Sequence, residues 1–322
     1  MMTETRIQRI LVVKPSSMGD IIHGLFIASA IKAQLPHVSI DWVVRVEFAG
    51  LVQAATVIDH SYLFNRSAGV GGFVRLIREV RTQQYDAVLD LQGLARSAII
   101  TFAAHALRKI GRSDARECAG LAYHEATPAF STADIPHAVE ILAAFLPILG
   151  LRQSLPSALV FKSPEVPIAL PEPVDGGKRV VVFPESRRAE KNWLGYEALT
   201  SWLLAQPGIG QVLWCGHSPV EASAAVLDKR LINLTGQTGI AQLPELLNMA
   251  DCVVSNDSGP MHLAAALGRP LVALFGPTKP ERFGPYPPSN CQRVIRRPDG
   301  DITAISVESV GAAVLSVLEQ SS

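Results

Sequence analysis

Ser255-Asn-Asp-Ser-Gly-Pro-Met-His-Leu-Ala-Ala-Ala-Leu-Gly268 follows directly on the apolar run Cys252-Val-Val, and it reads as a strand end, a turn and a helix start. Asp257 or Ser258 can cap the helix. Pro260 suits the first helical turn, where a missing N–H is no loss. Gly259 lets the backbone come close to a ligand. The alanine run favours helix, and Gly268 followed by Pro270 ends it. Free N–H groups at such a start form an anion site that a nucleotide diphosphate fits. From these residues alone an ordinary capped helix reads the same, and His262 could equally bond to backbone.

Working outward, the same alternation recurs. Leu271-Val-Ala-Leu-Phe275, Arg179-Val-Val-Val-Phe183 and Gln211-Val-Leu-Trp-Cys215 are continuous apolar runs of the kind buried in parallel sheets. Helices are expected over residues 193–204, 221–227, 243–249, 261–267 and 307–319. Upstream, Ile10-Leu-Val-Val13, Ile40-Asp-Trp-Val-Val44 and Tyr85-Asp-Ala-Val-Leu-Asp90 read as strands. Helices are expected over 20–35, 73–84 and 92–107. In the second of these Phe73, Leu76, Ile77 and Val80 share a face. Prolines 156, 164, 167, 171 and 173 crowd a stretch ending in Asp175-Gly-Gly177, which reads as a linker. The expectation is an α/β chain of two Rossmann-like, doubly wound domains facing across a cleft: residues 1–163, a linker at 164–177, and residues 178–322.

Three further features carry chemistry. Pro184-Glu-Ser-Arg-Arg-Ala-Glu-Lys-Asn-Trp193 follows a strand and offers the Ser186 hydroxyl with the charges of Arg187, Arg188 and Lys191. Cations belong where a phosphate leaving group gathers negative charge, although a solvated loop has the same composition. Lys14-Pro-Ser-Ser-Met-Gly-Asp-Ile-Ile-His23 puts Asp20 at a helix start. Its carboxylate can take a proton from an acceptor hydroxyl, or simply answer the helix dipole, which keeps it ionised and weakly basic. Residues 66–117 hold nine Arg/Lys against five acids, a patch suited to an anionic acceptor or lipid surface, or an ordinary solvated face. Asp299-Gly-Asp301 matches a DxD metal pattern but sits in a Pro/Gly turn and reads as surface.

Bulk composition narrows the classes. Apolar residues make up 48% of the 322-residue chain and charged residues 18%, enough apolar surface for two cores. Lys+Arg and Asp+Glu balance at 29 each, against a dedicated nucleic-acid binder. Cys118, Cys215, Cys252 and Cys291 show no zinc spacing, and Cys215 and Cys252 read as buried thiols. The apolar run near the start, Ile10 to Val13, is too short for a signal peptide's core, and no window approaches the roughly 18 apolar residues of a membrane span. The expectation is a cytoplasmic protein that touches a membrane only at its surface.

At these residues the sequence resembles glycosyltransferase family 9, the ADP-heptose:lipopolysaccharide heptosyltransferases. The signature is Asn256-Asp-Ser-Gly-Pro-Met-His262 followed by Leu274-Phe-Gly-Pro-Thr278. Ser16-Ser-Met-Gly-Asp20, Asp41-Trp-Val-Val44, Tyr85-Asp-Ala-Val88, Gln92-Gly-Leu94 and His137-Ala-Val-Glu140 resemble the heptosyltransferase I branch. The resemblance implies a GT-B fold and an inverting transfer of L-glycero-D-manno-heptose from ADP-heptose to the Kdo inner core of lipopolysaccharide, without metal or cofactor. It implies Asp20 as general base. It implies a donor site of Ser186, Arg187, Lys191, Asp257, Ser258, Gly259, Pro260 and His262, and an acceptor side of Ser17, Gln92, Arg96 and Arg116. The partners implied are a nucleotide-sugar donor, a lipid-linked anionic sugar acceptor and, transiently, the inner face of the cytoplasmic membrane. Two departures stand out. The segment between Asp59 and Tyr85 is short and carries Gly69, Gly71 and Gly72, and Arg187 replaces a small hydroxyl residue. Another sugar or acceptor, a GT-B-like sugar-nucleotide epimerase, or a nucleotide-sugar binder without turnover are the competing readings.

Overall fold

The computed structural model describes residues 7–131, 136–185, 188–223 and 228–320. The chain divides into two compact units, Met1–Lys162 and Ser163–Ser322.

In the first unit the strands are β1 (Arg9–Val13), β2 (Ser39–Arg45), β3 (His60–Phe64), β4 (Gln84–Asp90), β5 (His105–Gly111) and β6 (Glu125–Ala126). Helices α1 (Met18–Gln34), α2 (Ala49–Ala54), α3 (Gly69–Val80), α4 (Ala95–Ala103), α5 (Ala138–Ala143) and α6 (Phe145–Ile148) lie between and after them. All pairings are parallel, in the order β3-β2-β1-β4-β5-β6. Ile10 to Val13 are almost wholly buried because both faces of the sheet are covered, which is why the strand reads as an unbroken apolar run. One face is closed by Leu76 and Val80 of α3 and Ile100 of α4, packed on Leu11, Val13, Val43 and Val88.

The second unit repeats the plan. Its strands are β7 (Lys178–Phe183), β8 (Ile209–Trp214), β9 (Leu231–Asn233), β10 (Cys252–Asn256), β11 (Leu271–Phe275) and β12 (Gln292–Arg296), with parallel order β12-β11-β10-β7-β8-β9. The helices are α7 (Tyr196–Leu204), α8 (Leu243–Asn248), α9 (Gly259–Ala266), α10 (Pro280–Phe283) and α11 (Val307–Gln320). α7 and α11 cover one face of the sheet through Leu199, Leu203, Val310, Val314 and Val317.

In each sheet the chain starts in the middle, builds one way, then returns to build the other. The order reverses between β1 and β4 in the first unit and between β7 and β10 in the second. Loops leaving the carboxyl ends of strands at such a switch point diverge and leave a crevice where ligands of open α/β sheets bind. The loops singled out by sequence, after Val13, Phe183 and Asn256, all leave from these positions.

Several expected elements shift. The segment 92–107 is not one helix: α4 ends at Ala103 and β5 begins at His105, because His105, Leu107 and Lys109 alternate with Ala106, Arg108 and Ile110 at a strand's period. α3 starts at Gly69 and stops at Val80, where the Thr82 hydroxyl donates to the Glu79 carbonyl (2.7 Å) and frees Gln84 for β4. Trp193 precedes its helix as a buried loop residue, its indole N–H donating to Ile305 O (2.9 Å). Glu221 to Ser223 are not helical; Ser223 donates to the Glu197 carboxylate through both N and Oγ (2.9 Å each), and the rest of that expected helix lies outside the described residues. The proline-rich stretch is fastened to the second unit: Pro171 O accepts from Arg179 (2.8 Å) and Gln211 (3.2 Å), and Ile168 N–H donates to Glu245 (3.1 Å). Among the described residues no helix is long and apolar enough to cross a membrane.

Candidate active site

In the second unit three strand-end loops converge on one carboxylate. Asp257, one residue past β10, accepts from Lys191 Nζ (2.5 Å) and from Thr278 Oγ1 (2.5 Å) on the same oxygen. Its other oxygen lies 4.0 Å from His262 Nε2. Lys191 comes from the loop after β7 and Thr278 from the loop after β11, so the cluster ties the two flanking loops to the central one. Asn256 completes the tie: its Oδ1 accepts from Trp193 N–H (3.3 Å) and its Nδ2 donates to Asn192 Oδ1 (3.3 Å). The backbones pass close here: a Cβ at Gly276 would come within 3.0 Å of Glu190 O.

α9 starts beside this cluster. Ser258 is its N-cap in extended conformation, but the hydroxyl turns to Ser255 Oγ (3.0 Å) instead of capping, and Asp257 is engaged with Lys191. Neither side chain therefore covers the first amides. The N–H of Gly259 opens the helix with Pro260 in its first turn, giving a positive helix end next to the Lys191 ammonium. Ser186 and Arg187 lie outside the described residues. Next to them Glu185 accepts from His217 and Ser218 N–H (2.7 and 2.9 Å), and Arg188 pairs with Glu190 at the surface (2.8 Å).

In the first unit Asp20 sits in the first turn of α1, with its side chain 48% exposed. One carboxylate oxygen accepts from Ser17 N (3.0 Å) and Ser17 Oγ (2.7 Å); the other lies 3.5 Å from Lys14 Nζ. Desolvation pushes the Asp20 carboxyl up, but the Lys14 charge and the two Ser17 donors outweigh it and hold the group well below the usual carboxylate range. The expectation of an ionised, weakly basic Asp20 agrees with this. Lys14 itself is only 2% exposed. Burial lowers its pKa, with Asp20 and Asp90 pulling against that and Arg112 adding to it.

Asp90 closes the neighbouring strand, in register with Val13. It is fully buried, accepts from the N–H groups of Gln92 and Gly93 (3.0 Å each) and from Tyr123 OH (2.9 Å), and burial raises its pKa despite those donors. Gly93 takes a φ of +72°, and its carbonyl accepts from Arg116 N–H (2.9 Å). Of the acceptor-side residues, Ser17 is bonded directly to Asp20, while Gln92 and Arg116 flank the Gly93 turn. The buried Gln92 Oε1 lacks a hydrogen-bond partner among the described residues. Arg96 stands on the exposed side of α4.

Sequence reasoning quoted Lys14, Asp90 and Thr278 without giving them roles, and did not single out Tyr123 at all. A lysine directly after a buried strand was the available signal for Lys14. The two Asp–Tyr and Asp–Thr contacts join residues 33 and 21 apart and have no local signature. Asp299 pairs with Arg297 (3.0 Å) and Asp301 caps Thr303 N–H (2.9 Å), as a plain turn should. No group of metal-binding side chains occurs among the described residues. Cys215 and Cys252 are free and buried; burial pushes the Cys215 thiol up to about 12 and Cys252 higher still.

Doubly wound units with an uncapped helix start beside Lys191 at one switch point and the hydrogen-bonded Asp20 carboxylate at another fit the GT-B class of nucleotide-sugar enzymes. The model of glycosyltransferase family 9 (heptosyltransferase) matches residues 73–300, and the chain belongs to that family. It is 30% identical to the lipopolysaccharide heptosyltransferase 1 of Salmonella typhimurium, over 86% of this chain and 91% of that one. It is 26% identical to the lipopolysaccharide core heptosyltransferase OpsX of Haemophilus influenzae, over 85% and 81%. Among solved structures, the E. coli heptosyltransferase WaaC with ADP superposes at a TM-score of 0.78 with 27% identity, covering 98% of this chain and 100% of that one.

Proposed function

We propose that this enzyme transfers L-glycero-D-manno-heptose from ADP-heptose to the Kdo inner core of lipopolysaccharide. Relatives named as heptosyltransferase 1, and solved structures of WaaC with ADP and with ADP-2-deoxy-2-fluoro heptose, support the donor and the reaction class. The observation that carries the reading within this chain is the Lys191–Asp257–Thr278 cluster at the start of α9, which fixes the Lys191 ammonium beside the uncapped helix amides, where a diphosphate would gather negative charge.

In this reading the diphosphate lies on the start of α9, bonded by the amides near Gly259 and Met261, with Ser258, Pro260 and His262 shaping the loop. Lys191, joined by Ser186 and Arg187, neutralises the leaving ADP. The bond from the sugar anomeric carbon to the phosphate oxygen breaks with its electron pair going to ADP, and the acceptor hydroxyl oxygen bonds to that carbon from the opposite face. The configuration inverts in one displacement without metal or cofactor. Asp20 takes the hydroxyl proton. Because Lys14 and Ser17 keep Asp20 a weak base, it receives the proton late, once the new bond has made that hydroxyl acidic. Ser17, Gln92, Arg96 and Arg116 orient the anionic acceptor. The enzyme works at the inner face of the cytoplasmic membrane, where its lipid-linked acceptor resides.

Following ADP release from ADP-heptose, with and without Kdo-lipid A, tests this reading. Acceptor-dependent release supports it. An isomerised sugar nucleotide without acceptor would make the protein an epimerase, and tight binding without turnover would make it a binder.

A further inference from the structure

The outer surface of the first unit carries large apolar side chains where a water-facing α/β layer ordinarily carries polar ones. Ile99 and Phe102 lie three residues apart on the outer face of α4 and are 49% and 70% exposed, while Ser97, Ala98, Ile100 and Thr101 face inward. Leu107 of β5 is 67% exposed. The 3-10 turn Ala119–Ala122 packs along α4 and adds Leu121, at 89%.

Two cations are fixed into this surface. Lys109 Nζ donates to Phe102 O (2.5 Å) and sits 5.3 Å from the centre of the Phe102 ring. Arg81, at the end of α3, donates to Ala103 O (3.3 Å). They are close enough to disfavour each other: desolvation first, and Arg81 second, lower the Lys109 pKa. A solvated face would spread such charges apart. Here one cation lies against an exposed ring and a second is held at the neighbouring Ala103 carbonyl, an arrangement that an anion from outside would relieve.

Exposed aromatic and aliphatic side chains rimmed by basic groups match an interface that is apolar in its depth and anionic at its surface. We propose that Ile99, Phe102, Leu107 and Leu121, with Arg81 and Lys109, form the face by which this protein docks on an anionic lipid bilayer. The proposal rests on the reading that the acceptor is lipid-linked and names the surface that reading left open. It needs no residue of the donor or acceptor sites.

The test is co-sedimentation of the full chain with sucrose-loaded vesicles of phosphatidylcholine alone or of phosphatidylcholine with phosphatidylglycerol. The wild type should pellet with the mixed vesicles and stay in solution with the neutral ones. Phe102→Asp with Leu121→Asp should abolish pelleting. Arg81→Gln and Lys109→Gln should each weaken it about five-fold, and more so in low salt than high. Unaltered melting temperature and unaltered ADP release with a water-soluble Kdo acceptor would show that the variants remain folded, and that release also separates failure of docking from failure of the proposed reaction. Pelleting that survives the double substitution, or equal binding to neutral vesicles, would overturn the proposal. So would absence of vesicle binding together with a dimer in light scattering that the double substitution dissolves, which would assign the face to a second copy.

Discussion

Lys14 shows how a single residue trades stability for chemistry. It is buried, and its ammonium faces Asp20 at 3.5 Å, a long ion pair. Its pKa in the fold is below the ordinary 10.5, chiefly because of desolvation. Below the folded value Lys14 is charged in both folded and unfolded chains and its burial penalty is complete. Between the folded value and 10.5 the folded chain gives up the proton and the penalty fades. Lys14→Met should therefore be more stable than wild type in urea unfolding at neutral pH, the gap closing as pH rises toward 10.5, while ADP release falls because Asp20 loses its partner. A variant less stable at neutral pH would show that the Asp20 pair outweighs desolvation. Lys191 is the opposite case. It holds a buried carboxylate, so Lys191→Ala should weaken ADP binding by about 1.5–3 kcal/mol, the range for a hydrogen bond to a charged group, in calorimetric titration. Of these residues, Asp20, Lys191 and Asp257 were legible because each sits in a strand-turn-helix pattern. The roles of Asp90 and Thr278 were not, because they arise from contacts between segments 33 and 21 residues apart, and Lys14 offered only its place directly after a buried strand.

Among the elements, β5 is one that the sequence concealed and the one the first site leans on. Its last residue, Gly111, lies under the Tyr123 ring: a Cβ there would meet ring atoms at 2.0 to 2.3 Å. Gly111→Ala must push Tyr123 away from Asp90, and a destabilisation of about 1–3 kcal/mol is expected in chemical denaturation. Tyr123→Phe should act through the same bond without the clash. It leaves a fully buried carboxylate oxygen short of a donor and should cost about 1–3 kcal/mol. If Gly111→Ala proved neutral, the ring would have to be free to move, and Asp90 would not depend on it. The strands that were read correctly, β1, β2, β4, β7, β8, β10 and β11, are largely apolar runs inside the two sheets. β3, β6, β9 and β12 escaped because strands toward the sheet edges are short or mixed in polarity, so no period stands out against loop composition.

For the whole molecule, two units with separate cores imply that ligand effects should report their unit. If ADP binds the second unit as proposed, a hundred-fold excess over its Kd should stabilise the fold by about 2.7 kcal/mol and raise the melting temperature. UDP should raise it less. Asp20→Ala, in the other unit, should respond to ADP like the wild type, whereas Lys191→Ala should respond weakly. The doubly wound class of both units was legible from alternating apolar runs and helical periods. Where the chain leaves one unit for the other was less so, because the proline-rich stretch that looks like a tether is hydrogen-bonded along the second unit.

The most direct test of a donor seat in one unit and a proton acceptor in the other is acceptor-dependent ADP release by Asp20→Ala at saturating ADP-heptose, with ADP affinity measured on the same preparation. The account predicts unchanged ADP affinity with turnover lowered about 10²–10⁴-fold. Turnover equal to that of the wild type, or a loss explained wholly by weaker ADP binding, would contradict it.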